Sequence, residues 1–92
     1  MSGKSLVFDL VFSPQAKRQF KALEKQTATR IKNAIETHLR TLPPTGDVIK
    51  LEDRKGEFRL RVGDWRVTFR YRIPEREVQI SEVRHRSKAY KS

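Results

Sequence analysis

The sequence predicts a two-layer α+β domain in the order β-α-α-β-β-β, with an N-terminal strand and a helical hairpin packed on one face of an antiparallel sheet. Three observations predict it. Apolar residues alternate with a period of two in four short stretches, the first near the N-terminus and three in the second half. The segment between them carries apolar residues three and four apart, the spacing of an amphipathic helix. Turn-forming residues stand where the period changes, as in Ser13-Pro14, Pro43-Pro44, Gly63-Asp64 and Pro74-Glu75. The 92 residues suffice for one domain, residues 1–92, and fall short of two cores.

The first strand is read from Leu6 to Phe12, with Leu6, Phe8, Leu10 and Phe12 on one face. Ser13 can cap the free amides of a following helix, and Pro14 loses nothing at its first position by lacking an N–H. That helix is expected from Pro14 to about Glu24, with Ala16, Phe20 and Leu23 buried. A second is expected from about Thr27 to Leu42, burying Ile31, Ala34, Ile35, His38, Leu39 and Leu42. His38 on that stripe reads as a packed or hydrogen-bonded histidine. Pro43-Pro44 stops the helix, and Thr45-Gly46-Asp47 continues as loop.

Phe58 to Val62 and Trp65 to Ile73 form a hairpin across Gly63-Asp64, a two-residue turn with glycine at its first central position. This register sets Val62 opposite Trp65 and Arg61 opposite Arg66. The apolar residues then share one face and the arginines the other. The last strand runs from Glu77 to Val83. Val78 and Ile80 hold its alternation, and Ser81-Glu82-Val83 breaks it, which predicts a bulge. Residues 84–92 are too polar for a core.

Charge narrows the function. The net charge is +10, from 21 Lys and Arg against 11 Asp and Glu, and 12 of the 21 follow Asp53. Such a surface either serves solubility alone, through self-repulsion, or attracts a polyanion, nucleic acid or an acidic protein, and the two are compatible. The absence of cysteine excludes disulfides and thiolate metal sites. No dinucleotide fingerprint, P-loop, zinc-protease or zinc-finger spacing occurs, and the acidic residues lack the spacing of a metal nuclease. No metal or cofactor is called for. With no signal peptide pattern and no run of 18 apolar residues, a soluble cytoplasmic protein without membrane contact is expected.

Like charges directly opposed across a hairpin are destabilising. Arg61 nevertheless opposes Arg66, with Arg59, Arg70 and Arg72 on the same face. Either this is a solvated face of long side chains, or a bound polyanion relieves the repulsion. Arginine forks suit phosphate. RNA can be cut without a metal because its 2′-hydroxyl is a built-in nucleophile. The protein must then stabilise charge on the phosphorane and manage two protons. His85 is the easiest titrating group for that work, and Tyr90 could orient a base or share it. Trp65 reads as core, with stacking on a base as the alternative if it stands exposed at the sheet edge.

The run Lys50-Leu51, then Phe58 to Phe69, then Val83-Arg84-His85-Arg86 and Tyr90, resembles the RelE/ParE superfamily of toxins. The RelE-like branch of type II toxin–antitoxin systems, the mRNA interferases, is the part it resembles most. The resemblance implies a microbial RNase-type fold and a ribosome-dependent endoribonuclease that cuts mRNA in the A site. Products would be a 2′,3′-cyclic phosphate and a 5′-hydroxyl. It implies a cognate antitoxin that wraps the toxin, with operator DNA reached only through that partner. Carried over position by position, it implies catalytic roles for Arg59, Arg61, Arg66, His85, Arg86 and Tyr90. Phosphate contacts are expected from Lys50, Arg70, Arg72, Arg84, Lys88 and Lys91. Arginines stand at 59 and 61 where RNase members have lysines, and Arg84 where a glycine is common. The same superfamily includes gyrase poisons, and a non-catalytic basic binding module is a third reading.

Overall fold

Ser13 does more than cap a helix. Its Oγ accepts the Ala16 N–H at 3.0 Å and donates to the Ser81 carbonyl at 3.2 Å, so the helix start is pinned to the last strand. The computed structural model describes residues 7–89. Its elements are β1 (Asp9–Phe12), α1 (Pro14–Lys21), α2 (Lys25–His38), β2 (Val48–Lys50), β3 (Glu57–Val62), β4 (Trp65–Arg72), β5 (Glu77–His85) and α3 (Arg86–Ala89). The two-layer α+β class and the helical hairpin are as expected.

The sheet order is β1-β5-β4-β3-β2. All neighbours are antiparallel except β1, which runs parallel to β5. A parallel neighbour needs a crossover, and here α1 and α2 contribute to it. Of the expected first strand, Leu6 lies outside the described residues. Phe8 is buried, but its N–H donates to the Arg40 carbonyl at 2.8 Å rather than to a strand. The edge strand β2 was not expected. Three residues are too few to show alternation.

The second helix ends at His38, four residues short of Leu42. Groups distant in sequence take the carbonyls at its exit. The Thr45 N–H donates to the His38 carbonyl at 3.0 Å. The Tyr71 hydroxyl lies 2.9 Å from the Leu39 carbonyl and 2.8 Å from that of Thr41. These satisfy acceptors a helix end leaves open. Leu42, expected on the buried stripe, is exposed.

Between sheet and helices lies a core that includes Phe8, Ile31, Ile35, Leu60, Phe69 and Ile80. In β5 the expected bulge is present. Thr68 pairs with Glu82 and Phe69 with Ile80, so Ser81 is the extra residue. Its Oγ donates to the Thr68 carbonyl at 3.3 Å. The inserted residue shifts the alternation by one, which puts Val83 into the core. Beyond the end of β1, the Val83 N–H donates to Gln19 Oε1 of α1 at 2.7 Å.

Candidate nucleic-acid interface

Directly paired residues of neighbouring strands project from the same face, so the register fixes what stands together. On the face away from the helices, Arg61 of β3, Arg66 of β4 and Arg84 of β5 form one row across three strands. Strands lie ~4.8 Å apart, so these cations are close neighbours. The adjoining row is Ile49, Arg59, Thr68 and Glu82. Asp47, Ile49, Arg59, Arg61 and Arg66 line an open concavity of about 280 Å³ between the rows.

Counter-charges answer part of the repulsion. Asp47 Oδ2 accepts from Arg61 Nε at 2.8 Å, and the Asp47 carbonyl takes the Arg61 backbone N–H at 2.9 Å. Glu82 pairs with Arg84 along β5. Both partners of the Asp47–Arg61 pair are more than half exposed, so water screens it and it contributes at most about 1 kcal/mol. Among the described residues Arg59 makes no ion pair. The arrangement concentrates planar, always-charged donors on a surface that a phosphate can reach.

The remaining expected site residues are distributed elsewhere. Arg70 and Arg72 share the open face but lie toward the other end of β4, where Arg70 pairs with Glu57 at 3.4 Å and Arg72 with Glu75 at 3.1 Å. The hydrogen bond from Arg72 holds the Glu75 carboxyl below the usual carboxylate range. Lys50 pairs with Phe58 and so belongs to the helix-side register. Arg86 opens α3 at the hairpin tip. Its N–H donates to the Asp64 carbonyl at 2.7 Å, and its guanidinium lies 3.7 Å from the Asp64 carboxylate. Tyr90 and Lys91 lie outside the described residues, as does the side chain of Lys88.

His85 is not brought to the arginines. It pairs with Trp65, whose face is that of the helices, with ring centroids 5.1 Å apart and nearly perpendicular at 85°. The Ser81 bulge is the reason. An unbroken alternation would have turned His85 to the face of the arginines and Arg84 inward. The signal was present in the sequence, since an apolar Val83 had to follow the break.

Sequence reasoning missed two residues. Asp47 was read as loop, because its pairing with Arg61 joins positions 14 apart. His38 supports that loop. Its Nδ1 stands 2.8 Å from Thr45 Oγ1, and its ring packs so closely under Gly46 that a Cβ there would come within 2.8 Å. The histidine is therefore the packed, hydrogen-bonded residue expected. Arg30 of α2 was also missed. Its guanidinium covers the hairpin tip, where Gly63 has a φ of +61° and an added Cβ would meet Nη2 at 2.5 Å. That left-handed backbone conformation favours glycine, and any larger residue would have to push the Arg30 side chain aside.

Two concavities lie on the helix side. One, of about 560 Å³, has Leu10, Phe12, Phe20 and Ile35 among its lining, with Lys17, Lys21, Lys32 and Arg40 around them. The Arg40 guanidinium there donates to Glu36 at 2.7 Å, which pulls that carboxyl below its ordinary range. The other, of about 440 Å³, lies beside Trp65 and His85. Among the described residues, no helix is long and apolar enough to cross a membrane.

Residues 10–90 match the family model described as "ParE toxin of type II toxin-antitoxin system, parDE". No match is found among curated proteins. Several solved structures share the fold. A RelB–RelE antitoxin–toxin complex from Methanococcus jannaschii contains a chain with 22% identity and a TM-score of 0.71, over 87% of this chain and 94% of that one. A chain of the archaeal RelE–RelB complex from Pyrococcus horikoshii gives 23% and 0.67, over 89% and 98%. The toxin–antitoxin complex RelBE2 from Mycobacterium tuberculosis gives 22% and 0.70, over 87% and 99%.

Proposed function

Since the chain belongs to the ParE toxin family of type II toxin–antitoxin systems, we propose that it is the toxin of such a pair and an endoribonuclease that cuts ribosome-bound mRNA in the A site. The observation that carries this reading is the row of Arg61, Arg66 and Arg84, with Arg59 beside it, around an open concavity. Attack of a 2′-hydroxyl on the neighbouring phosphorus builds negative charge on the phosphoryl oxygens. Fixed guanidinium forks aimed at that charge stabilise it most when it is greatest. A guanidinium hardly deprotonates, so these residues hold charge and do not move protons. The resemblance assigns Arg86 and Tyr90 to the same chemistry, and Tyr90 lies outside the described residues.

The partner in this reading is a cognate antitoxin. The apolar groove rimmed by Lys17, Lys21, Lys32 and Arg40 suits an amphipathic segment with acidic flanks. Acidic residues of the same partner would cover the arginine row. The related solved complexes, each an antitoxin bound to a toxin, support such a partner.

The test is the chemistry of the ends. Purified protein, ribosomes and mRNA should yield 2′,3′-cyclic phosphate and 5′-hydroxyl termini. Products bearing 5′-phosphate would overturn attack by the 2′-hydroxyl. One observation favours a second reading, inhibition of DNA gyrase. With His85 turned away, the described lining of the concavity offers guanidiniums and no imidazole. That reading expects intact mRNA and blocked supercoiling by purified gyrase.

A further inference from the structure

The concavity of about 440 Å³ lies where β4 begins and β5 ends, beside the arginine row but on the opposite face of the sheet. Its lining includes Leu23, Val83, Trp65, His85, Gln19 and Arg84. Val83 is buried and Leu23 half-buried, so they give it an apolar floor. Trp65 is half-buried as well and is part of the lining.

We propose that this concavity holds one nucleobase of a single-stranded RNA whose phosphate rests on the arginine row. The inference deepens the RNA reading above and takes its ligand from it. Three features argue for a base. Trp65 and His85 stand nearly perpendicular, so a flat ring can lie against one face and meet the edge of the other. Gln19 presents a fixed amide. Its Oε1 is held by the Val83 N–H at 2.7 Å, which leaves its NH₂ donors uncommitted among the described residues and suited to a base carbonyl. Arg84 belongs to both places, since it lines the concavity and also stands opposite Arg66.

The bulge creates this geometry. Consecutive strand residues point to opposite faces, so Arg84 and His85 present a cation on one side of the strand end and an aromatic ring on the other. A nucleotide has the same division, an anionic phosphate joined to a flat base. An apolar side chain from a protein partner would fill the floor but would leave the Gln19 donors unused.

The experiment uses the protein's single tryptophan as reporter. The probes are 2′-O-methyl trinucleotides of uridine and of guanosine, which cannot be cut by 2′-hydroxyl attack, and inorganic polyphosphate, which carries charge without bases. Both trinucleotides should change Trp65 emission to saturation. Polyphosphate should compete with them and leave the emission of the free protein unchanged. Ala22→Phe places bulk in the lining from an exposed position on the helix end, so the fold should stand. It should weaken trinucleotide binding about tenfold, within the range for loss of one stacked base, and leave polyphosphate binding at the parent level.

Trinucleotide bound by anisotropy with silent Trp65, or bound at parent affinity by Ala22→Phe, would overturn the proposal. An emission change with an acidic amphipathic peptide and none with nucleotides would do the same and assign the space to a protein partner. Cleavage of mRNA alongside a silent Trp65 removes the base pocket and keeps the nuclease. Stacking without any cleavage does the reverse.

Discussion

At the open end of the β3–β4 hairpin, Arg70 and Arg72 each lie against a glutamate, and Tyr71 between them ties β4 to the exit of α2. Rings of Phe8, Phe58 and Phe69 pack around that tyrosine at centroid distances of 5.1, 6.2 and 5.8 Å. Toward the closed end, Arg61, Arg66 and Arg84 stand abreast, with Asp47 against Arg61 and Glu82 against Arg84. In the sequence the two ends look alike, arginine alternating with apolar residues. The structure separates them. One end spaces its arginines apart beside an aromatic cluster, each with a glutamate, and the other brings three arginines abreast in a single row.

The comparison can be broken or sharpened by substitution. The largest effect is expected at the aromatic end. Phe69 is fully buried, and Phe69→Ala should cost about 3–5 kcal/mol of unfolding free energy in a denaturant titration. Polyphosphate affinity of the folded fraction should be unchanged. At the other end, Arg66→Ala should lower saturated cleavage of ribosome-bound mRNA by about 10²–10³-fold, the scale for losing one donor to a developing oxyanion. Its unfolding free energy should move by less than about 1 kcal/mol. A stability loss as large as that of Phe69→Ala would erase the distinction.

Tyr71 supplies a smaller effect with a pH signature. Burial pushes its hydroxyl up to about 12, against an ordinary value of 10.0. The folded chain therefore holds that proton more tightly than the unfolded one. The associated stability is intact below pH ~10 and is lost as pH rises toward ~12. Tyr71→Phe should cost about 1 kcal/mol at neutral pH, for the lost hydrogen bonding, and should flatten this decline in melts at increasing pH. The smallest effect belongs to Asp47→Asn. Releasing Arg61 from its counter-charge should raise polyphosphate affinity by up to about fivefold at low salt. An unchanged or lower affinity would show that Asp47 does not compete with the ligand.

What the sequence revealed was local. Ser13 next to Pro14 announces a helix start, and a two-residue turn at Gly63-Asp64 fixes the pairing of Val62 with Trp65 without further information. The bulge was legible because Val83 needed burial. What stayed hidden depends on distant partners. The end of α2 is set by a hydroxyl from β4 and an amide from the following loop, and the parallel direction of β1 by the crossover. Asp47 acquires meaning only when β2 pairs with β3. The titration range of His85 makes it a candidate for proton transfer in the sequence, but the face it occupies depends on the bulge before it, which turns the following residues over.

Gln19 has a consequence of another kind. β1 stops at Phe12, opposite Ile80, while β5 continues to His85, so among the described residues a stretch of β5 has no strand on that side. Bare strand edge is where chains of different molecules add to one another and aggregate. One side-chain amide occupies the Val83 N–H and stands in for the residue that a longer β1 would have supplied. For a chain this cationic, charge keeps copies apart only until an acidic partner or a polyanion neutralises it. At that moment resistance to self-association falls to such local covers. A glutamine that reads in the sequence as an ordinary helix-surface residue is then a cover for an otherwise open strand edge.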